Sequence, residues 1–315
     1  MMRRVAAYVL TGLAVFLIAI AALLKFYVVP SLLVTPLDQF AESFAPGTGT
    51  IFSPATLSER TGVDLIAHRT VRGDVAASSK DRGVWDESVV LSESNGTLVN
   101  ATTDRVAWDR KTGEAVNCCN ENVDGLPTKH KGLSYKFPFG AKKTTYQFFD
   151  TTAKQAHPMR YQGSESIQGL TVYRYQQRVE PVQIGEVEVP GNLVNSTAPS
   201  VKAPRFYDNT RTVWIEPLSG VIIKGQEKQH QVLRDANGSD AVTLIQVTLT
   251  FNEKTQKQQG DLAKDARSKA ALVGTWAPLV CLLLGLILAA VAFALVRRDE
   301  PEAAPQQRRE PVPVG

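Results

Sequence analysis

VAAYVLTGLAVFLIAIAALL, residues 5–24, is an uncharged apolar run, and ALVGTWAPLVCLLLGLILAAVAFALV, residues 271–296, is its counterpart at the other end of the chain. A bilayer's hydrocarbon layer is roughly 30 Å thick and a helix rises about 1.5 Å per residue, so about 20 apolar residues cross it. Both runs are long enough, and the sequence between them is polar enough to fold in water. The chain therefore reads as two transmembrane helices around a water-soluble domain.

Arg3 and Arg4 precede the first run and Arg297 and Arg298 follow the second, and basic residues are kept on the cytoplasmic side. Both termini are accordingly expected in the cytoplasm and the large domain outside it. Lys25, Arg267 and Lys269 lie on the opposite side, but a connection this long crosses largely regardless of charge. A cleavable signal peptide has a shorter apolar stretch, of about 7–15 residues, ending at a small-residue site. The one such site here, Ala19-Ile20-Ala21, falls inside the apolar run, so the first helix reads as a retained anchor.

The expected layout is residues 1–29 as cytoplasmic N-terminus and first span, 30–50 as a stalk, 51–252 as the β domain, 253–270 as a connecting helix, 271–296 as the second span and 297–315 as a disordered cytoplasmic tail. Pro30 and Pro36 bracket the stalk, residues 37–44 suit one or two helical turns, and Pro46-Gly47-Thr48-Gly49 breaks them. The tail is rich in Pro, Glu and Gln.

From Ile51 the texture is that of β-structure, with short runs at 61–71, 84–91, 97–99, 105–108 and 114–116 separated by Asp-, Asn- and Gly-rich turns. A second set follows at 144–149, 171–179, 182–189, 212–215, 221–229 and 242–251. In LTVYRY (170–175) and TLIQVTLTF (243–251) apolar and polar residues alternate, which puts one face in a core and the other toward water. The fold class expected is a membrane-anchored, mainly β ectodomain of antiparallel meanders. Two segments echo each other: VAWDRKTGEAV (106–116) and VWIEPLSGVII (213–223) align Asp109 with Glu216, Thr112 with Ser219 and Gly113 with Gly220. Each reads as strand, acidic-to-Gly turn, strand. They are two similar hairpins, or marks of a duplicated unit spanning 51–150 and 151–252.

Between residues 30 and 270, 28 Lys and Arg face 27 Asp and Glu, a balance without the clustered positive charge that nucleic acid demands. Cysteines are few: Cys118 and Cys119 in the middle and Cys281 in the second run, so the domain relies on its own apolar core. Neighbouring Cα atoms are 3.80 Å apart whereas relaxed disulfides span about 4.4–6.8 Å, which leaves both a vicinal Cys118–Cys119 ring and two free or separately paired thiols open.

His68, His130, His157 and His230 lie far apart without metal-site spacing, and no GxSxG, GxxxxGK or GxGxxG motif occurs, so neither an enzyme nor a cofactor is expected. The N-x-S/T tripeptides at Asn95, Asn100, Asn195 and Asn237 read as turns. Tyr135, Phe137 and Phe139, with Tyr146 and Phe148, form an aromatic cluster that lines an apolar cavity or makes an ordinary core seam.

The segments 106–116, 132–139 continuing to Asp150, 169–175 and 213–220, together with the two-anchor layout, resemble an actinobacterial membrane family labelled porin PorA-like. That resemblance covers nearly the whole chain, implies a Gram-positive cell envelope and brings no catalytic residues. The hairpins also resemble those of LolA-like lipoprotein carriers, and the layout that of class B scavenger receptors. The leading expectation is that the ectodomain binds or transfers a membrane lipid or glycolipid. The alternatives are a porin-like channel and an envelope scaffold or signalling protein with envelope proteins as partners. Two apolar helices cannot enclose a water path, so a pore requires self-association.

Overall fold

The computed structural model describes residues 2–28 and 34–297, so the tail 298–315 and the start of the stalk lie outside the described residues. These divide into two compact units, the pair of apolar helices and the β-rich middle as far as residue 268.

In the first unit, α1 (Met2–Leu23) continues through a π turn, Leu24–Val28, and packs against a second apolar helix, Ala277–Arg297. The buried positions recur every seventh residue, at Ala7, Ala14 and Ala21 on α1 and at Pro278, Gly285 and Ala292 on its partner. Small residues let two backbones approach closely where lipid supplies no hydrophobic drive. A Cβ at Gly285 would lie 2.9 Å from Ile18 Cγ1 and 3.1 Å from the Ala14 carbonyl. Most large side chains, such as Val9, Phe16, Ile287 and Phe293, point outward and are exposed, as suits contact with acyl chains. Both helices are long and apolar enough to cross a membrane.

The second unit is built on one antiparallel sheet of twelve strands in the order β6-β5-β4-β3-β2-β1-β12-β11-β10-β9-β8-β7. The strands are β1 (Phe40–Ser53), β2 (Ser58–Gly73), β3 (Arg82–Glu93), β4 (Leu98–Asp109), β5 (Asn122–Val123) and β6 (Leu126–Pro127), then β7 (Tyr146–Asp150), β8 (Gln155–Ile167), β9 (Leu170–Pro190), β10 (Ser200–Ile215), β11 (Ile222–Arg234) and β12 (Asp240–Thr250). The chain enters at the centre, meanders out to β6, crosses to the opposite edge and meanders back, so that β12 pairs with β1. Bridges Trp108–Ala115, Glu114–Leu133 and Leu133–Phe148 carry hydrogen bonding from β4 through the crossover to β7. The sheet is thereby curled into a half-barrel whose two wings meet at the crossover.

Inside the curl, one core layer packs Leu133, Phe137, Phe148, Met159, Tyr175, Val213 and Ile215 under the crossover. Trp85, Trp108, Val71 and Tyr135 continue it toward β2–β4, and Ile51, Leu65, Leu91, Ile245 and Leu249 fill the other end. On the outer face, Trp214, Ile223, Leu170 and Val172 receive Ala263 of α2 (Glu253–Ala271). Asn252 caps α2, accepting the Thr255 N–H at 2.8 Å. A π turn, Leu272–Trp276, links α2 to α3, the helix Ala277–Arg297 described above.

The structure corrects several expectations. Residues 40–50 are not stalk, and 40–44 are not helical; they form most of β1. Gly47 and Gly49 are there because β12 crosses too close for a side chain: a Cβ would lie 2.1 Å from the Thr248 carbonyl or 2.3 Å from that of Gln246. Pro46 pairs only with β2, since the β12 pairing is confined to Gly49–Ile51, so its missing N–H breaks no ladder there. The runs 171–179 and 182–189 are one 21-residue strand whose register slips at residues 179–182 and 183–185. Asn100 sits within β4 rather than in a turn, whereas Asn95 and Asn237 lie in turns and Asn195 ends a 3₁₀ turn in the left-handed region.

Candidate functional site: a charged cavity inside the curled sheet

A cavity of ≈ 190 Å³ opens on the inner face, walled by both wings of the sheet and by Ser134 and Tyr135 of the crossover. Alternation along the strands sets its lining. On β2, Leu65, Ala67, Arg69 and Val71 share one face, and on β10 Arg211, Val213 and Ile215 do, so each arginine is in phase with core residues.

Each arginine has its own acid on the next strand. Arg69 Nη2 meets Glu87 Oε2 at 2.6 Å, and Arg211 Nε meets Glu227 Oε1 at 2.7 Å directly across the β10–β11 ladder. Arg211 also reaches Asp150 Oδ2 at 3.2 Å and Gln177 Oε1 at 3.1 Å, while the Tyr207 hydroxyl donates to the same Asp150 oxygen at 3.0 Å. Asp150 and Gln177 are fully buried. Burial alone would raise the Glu227 carboxyl, but the Arg211 guanidinium, the hydrogen bond from Gln229 and the Arg69 charge together more than offset it and hold the group below the usual range.

Asp104, also on the cavity wall, meets His130 Nε2 at 2.8 Å, and Glu121 Oε2 lies 3.0 Å from His130 Nδ1. Burial opposes the imidazolium, yet the two carboxylates together raise the His130 pKa. Tyr135 lies under the Arg69 guanidinium, 5.5 Å from ring centre to carbon. Burial and then the nearby carboxylates push its phenol well above 10. Its hydroxyl and that of Ser134 are closed to solvent without a hydrogen-bond partner among the described residues.

The aromatic cluster is divided by the structure. Tyr135 and Phe148 line the cavity. Phe137 and Tyr146 pack into the core layer, their ring centres 5.2 Å apart, and Phe139 lies 3.6 Å beneath the Lys136 ammonium. Lys136 is buried, donates to Thr35 Oγ1 at 3.0 Å, and is pushed by burial down to about 7.

The echoed turns share one geometry. Gly113 N donates to the Asp109 carbonyl and Gly220 N to the Glu216 carbonyl, each at 2.8 Å. The Asp109 carboxylate accepts the Thr112 N–H at 2.8 Å, and that of Glu216 accepts the Ser219 N–H at 2.8 Å. Gly113 and Gly220 have φ of +79° and +73°. Both turns grip the crossover: Phe137 N donates to the Gly220 carbonyl at 3.0 Å, and a Cβ at Gly113 would sit 2.9 Å from the Lys136 carbonyl. They are clamps that hold the crossover over the end of the half-barrel. Cys118 and Cys119 are joined as a vicinal disulfide beyond the first clamp, where Arg105 Nε donates to the Cys119 carbonyl at 3.0 Å.

Sequence reading did not single out Arg69, Glu87, Arg211, Glu227 or Asp150. The available signal was parity, a charged side chain falling on the apolar beat of an alternating strand.

Fold and cavity define a class: a chain with two helices long and apolar enough to cross a membrane and a curled antiparallel sheet around a charge-lined cavity. The family model described as Porin PorA matches residues 6–294. The chain belongs to the Porin PorA family. It is similar to a Porin PorA of Corynebacterium amycolatum, 26% identical over 382 aligned positions that cover 93% of this chain and 99% of the relative. It is also similar to one of Corynebacterium resistens, 26% identical over 309 positions covering 69% and 75%. Among solved structures, an exported Bacteroides fragilis protein with a YmcC-like fold matches 69% of this chain and 96% of its own at 8% identity. Its TM-score is 0.19, too loose to support any statement about this chain.

Proposed function

We propose that this chain is a subunit of an oligomeric, porin-like envelope channel, anchored by two helices with both termini in the cytoplasm and the half-barrel outside. The carrying observation is family membership over residues 6–294. The cavity lining is compatible with it. A lipid carrier needs an apolar sleeve with few polar groups, whereas Arg69, Glu87, Asp104, Arg211 and Glu227 all stand on this wall. The family supports the channel reading over the lipid or glycolipid binding expected first from the sequence, and the charged lining does not suit acyl chains.

Within one copy, Leu133 and Phe137 are fully buried beneath the clamped crossover, so the half-barrel is plugged at that end. The apolar faces of α1 and α3 offer no aqueous lining. A solute path therefore runs between copies, and self-association is a requirement of the proposal. Liposomes carrying the purified protein should swell in isotonic solutions of small polar solutes, and native mass spectrometry should show more than one copy per assembly. A monomeric protein in impermeable liposomes would remove the reading.

A further inference from the structure

The charges on the cavity wall are matched among themselves. Arg69 is taken by Glu87, Arg211 by Glu227 and Asp150, and Asp104 by His130. A charged ligand would have to break one of these partly or fully buried pairs and leave its partner uncompensated. The spare hydrogen-bonding capacity belongs to neutral groups instead. Asn100 and Thr102 on β4, and Thr151 and Thr152 in the turn after β7, line the cavity, are partly accessible, and make no side-chain hydrogen bond among the described residues. Between them they offer an amide and three hydroxyls, each able to donate and to accept. Beside Thr102 and Asn100, their cross-strand neighbours Val89 and Leu91, together with Phe251, supply apolar wall. A cavity of about 150 Å³ takes a benzene ring, so ≈ 190 Å³ suits a single six-membered ring with substituents.

We propose that this cavity is a binding site for one neutral hexopyranose ring, its hydroxyls met by Asn100, Thr102, Thr151 and Thr152 and its C–H face laid on Val89, Leu91 and Phe251. The ring belongs to a free sugar or to the headgroup of a glycolipid. The site goes beyond the channel reading and stands without it, because binding needs no conduction.

The test is saturation-transfer NMR on the full chain in a detergent without a sugar headgroup. The neutral probes are glucose and octyl glucoside below its micelle concentration; the charged controls are glucuronate and glucosamine. The neutral probes should receive saturation and the charged ones at least fivefold less. The signal should fall at least fivefold in Asn100→Ala and Thr152→Ala, two variants on opposite wings, in whichever keeps the parent melting temperature. Transfer to octyl glucoside alone would mark a glycolipid headgroup as the source. Absence of transfer to both neutral probes, equal or stronger transfer to a charged one, or unchanged transfer in the folded variants would overturn the proposal. Conductance does not enter the readout, so its outcome and that of the channel test are separable.

Discussion

Replacing Arg211 by Met keeps much of the side-chain volume and removes the cation on which two acids depend. Asp150 is fully buried and would retain only the Tyr207 hydroxyl and its own turn N–H, while Glu227 would keep only amide donors. Breaking a buried pair from one side costs about 3–5 kcal/mol. At about 2–4 °C per kcal/mol for a unit of this size, the melting temperature should fall by roughly 6–20 °C. Tryptophan fluorescence of the full chain in detergent reads the transition, since Trp85, Trp108 and Trp214 all sit in the sheet. The pH dependence carries a sign. In the parent, the lowered Glu227 pKa contributes stability that is present above its unfolded value and lost as pH falls through the folded one. In the variant, Glu227 loses the Arg211 guanidinium, so the stability it contributes at neutral pH is missing there while little is missing at acid pH. The variant's deficit should be smaller near pH 4 than near pH 8. A deficit below about 1 kcal/mol, or one that widens toward acid pH, would refute the reasoning.

Three further outcomes follow from the same geometry. Gly220→Ala places a Cβ 2.0 Å from the Phe137 carbonyl at φ +73°, whereas Gly238→Ala meets open space at φ +79°; the latter should cost about 1–2 kcal/mol for the left-handed backbone, and the former clearly more, read by urea unfolding. Lys136, at about 7 in the folded state, gives a parent stability that rises from about pH 7 toward its unfolded value; Lys136→Met should flatten that rise in melting curves at pH 6 and 9.5. His130, raised by Asp104 and Glu121, contributes stability that is full below its unfolded value and lost as pH climbs through the folded one; His130→Gln should abolish that loss while lowering stability overall, because Asp104 is left without a cation.

Much of the layout was legible because its causes are local. The apolar runs at either end, the alternation in residues 243–251 and the Asp109-to-Gly113 and Glu216-to-Gly220 turns each follow from neighbouring residues alone. The curl was not, since it depends on β1 meeting β12 and on Leu133 stitching β4 to β7, pairings between distant residues that no short-range pattern encodes. The misreading of residues 40–50 has the same origin: Pro46, Gly47 and Gly49 break structure by propensity, and only the approach of β12 explains them within a strand. One of the cavity charges was hidden by strand length. Arg211 lies just outside the short run 212–215, so its phase with Val213 and Ile215 emerges only once β10 extends back to Ser200.

Single-channel recording in planar bilayers tests the central claim most directly. The purified full chain should give discrete, reproducible conductance steps whose frequency rises more steeply than linearly with protein concentration, as assembly from several copies demands. A bilayer that stays silent while antibody or label confirms inserted protein would contradict it.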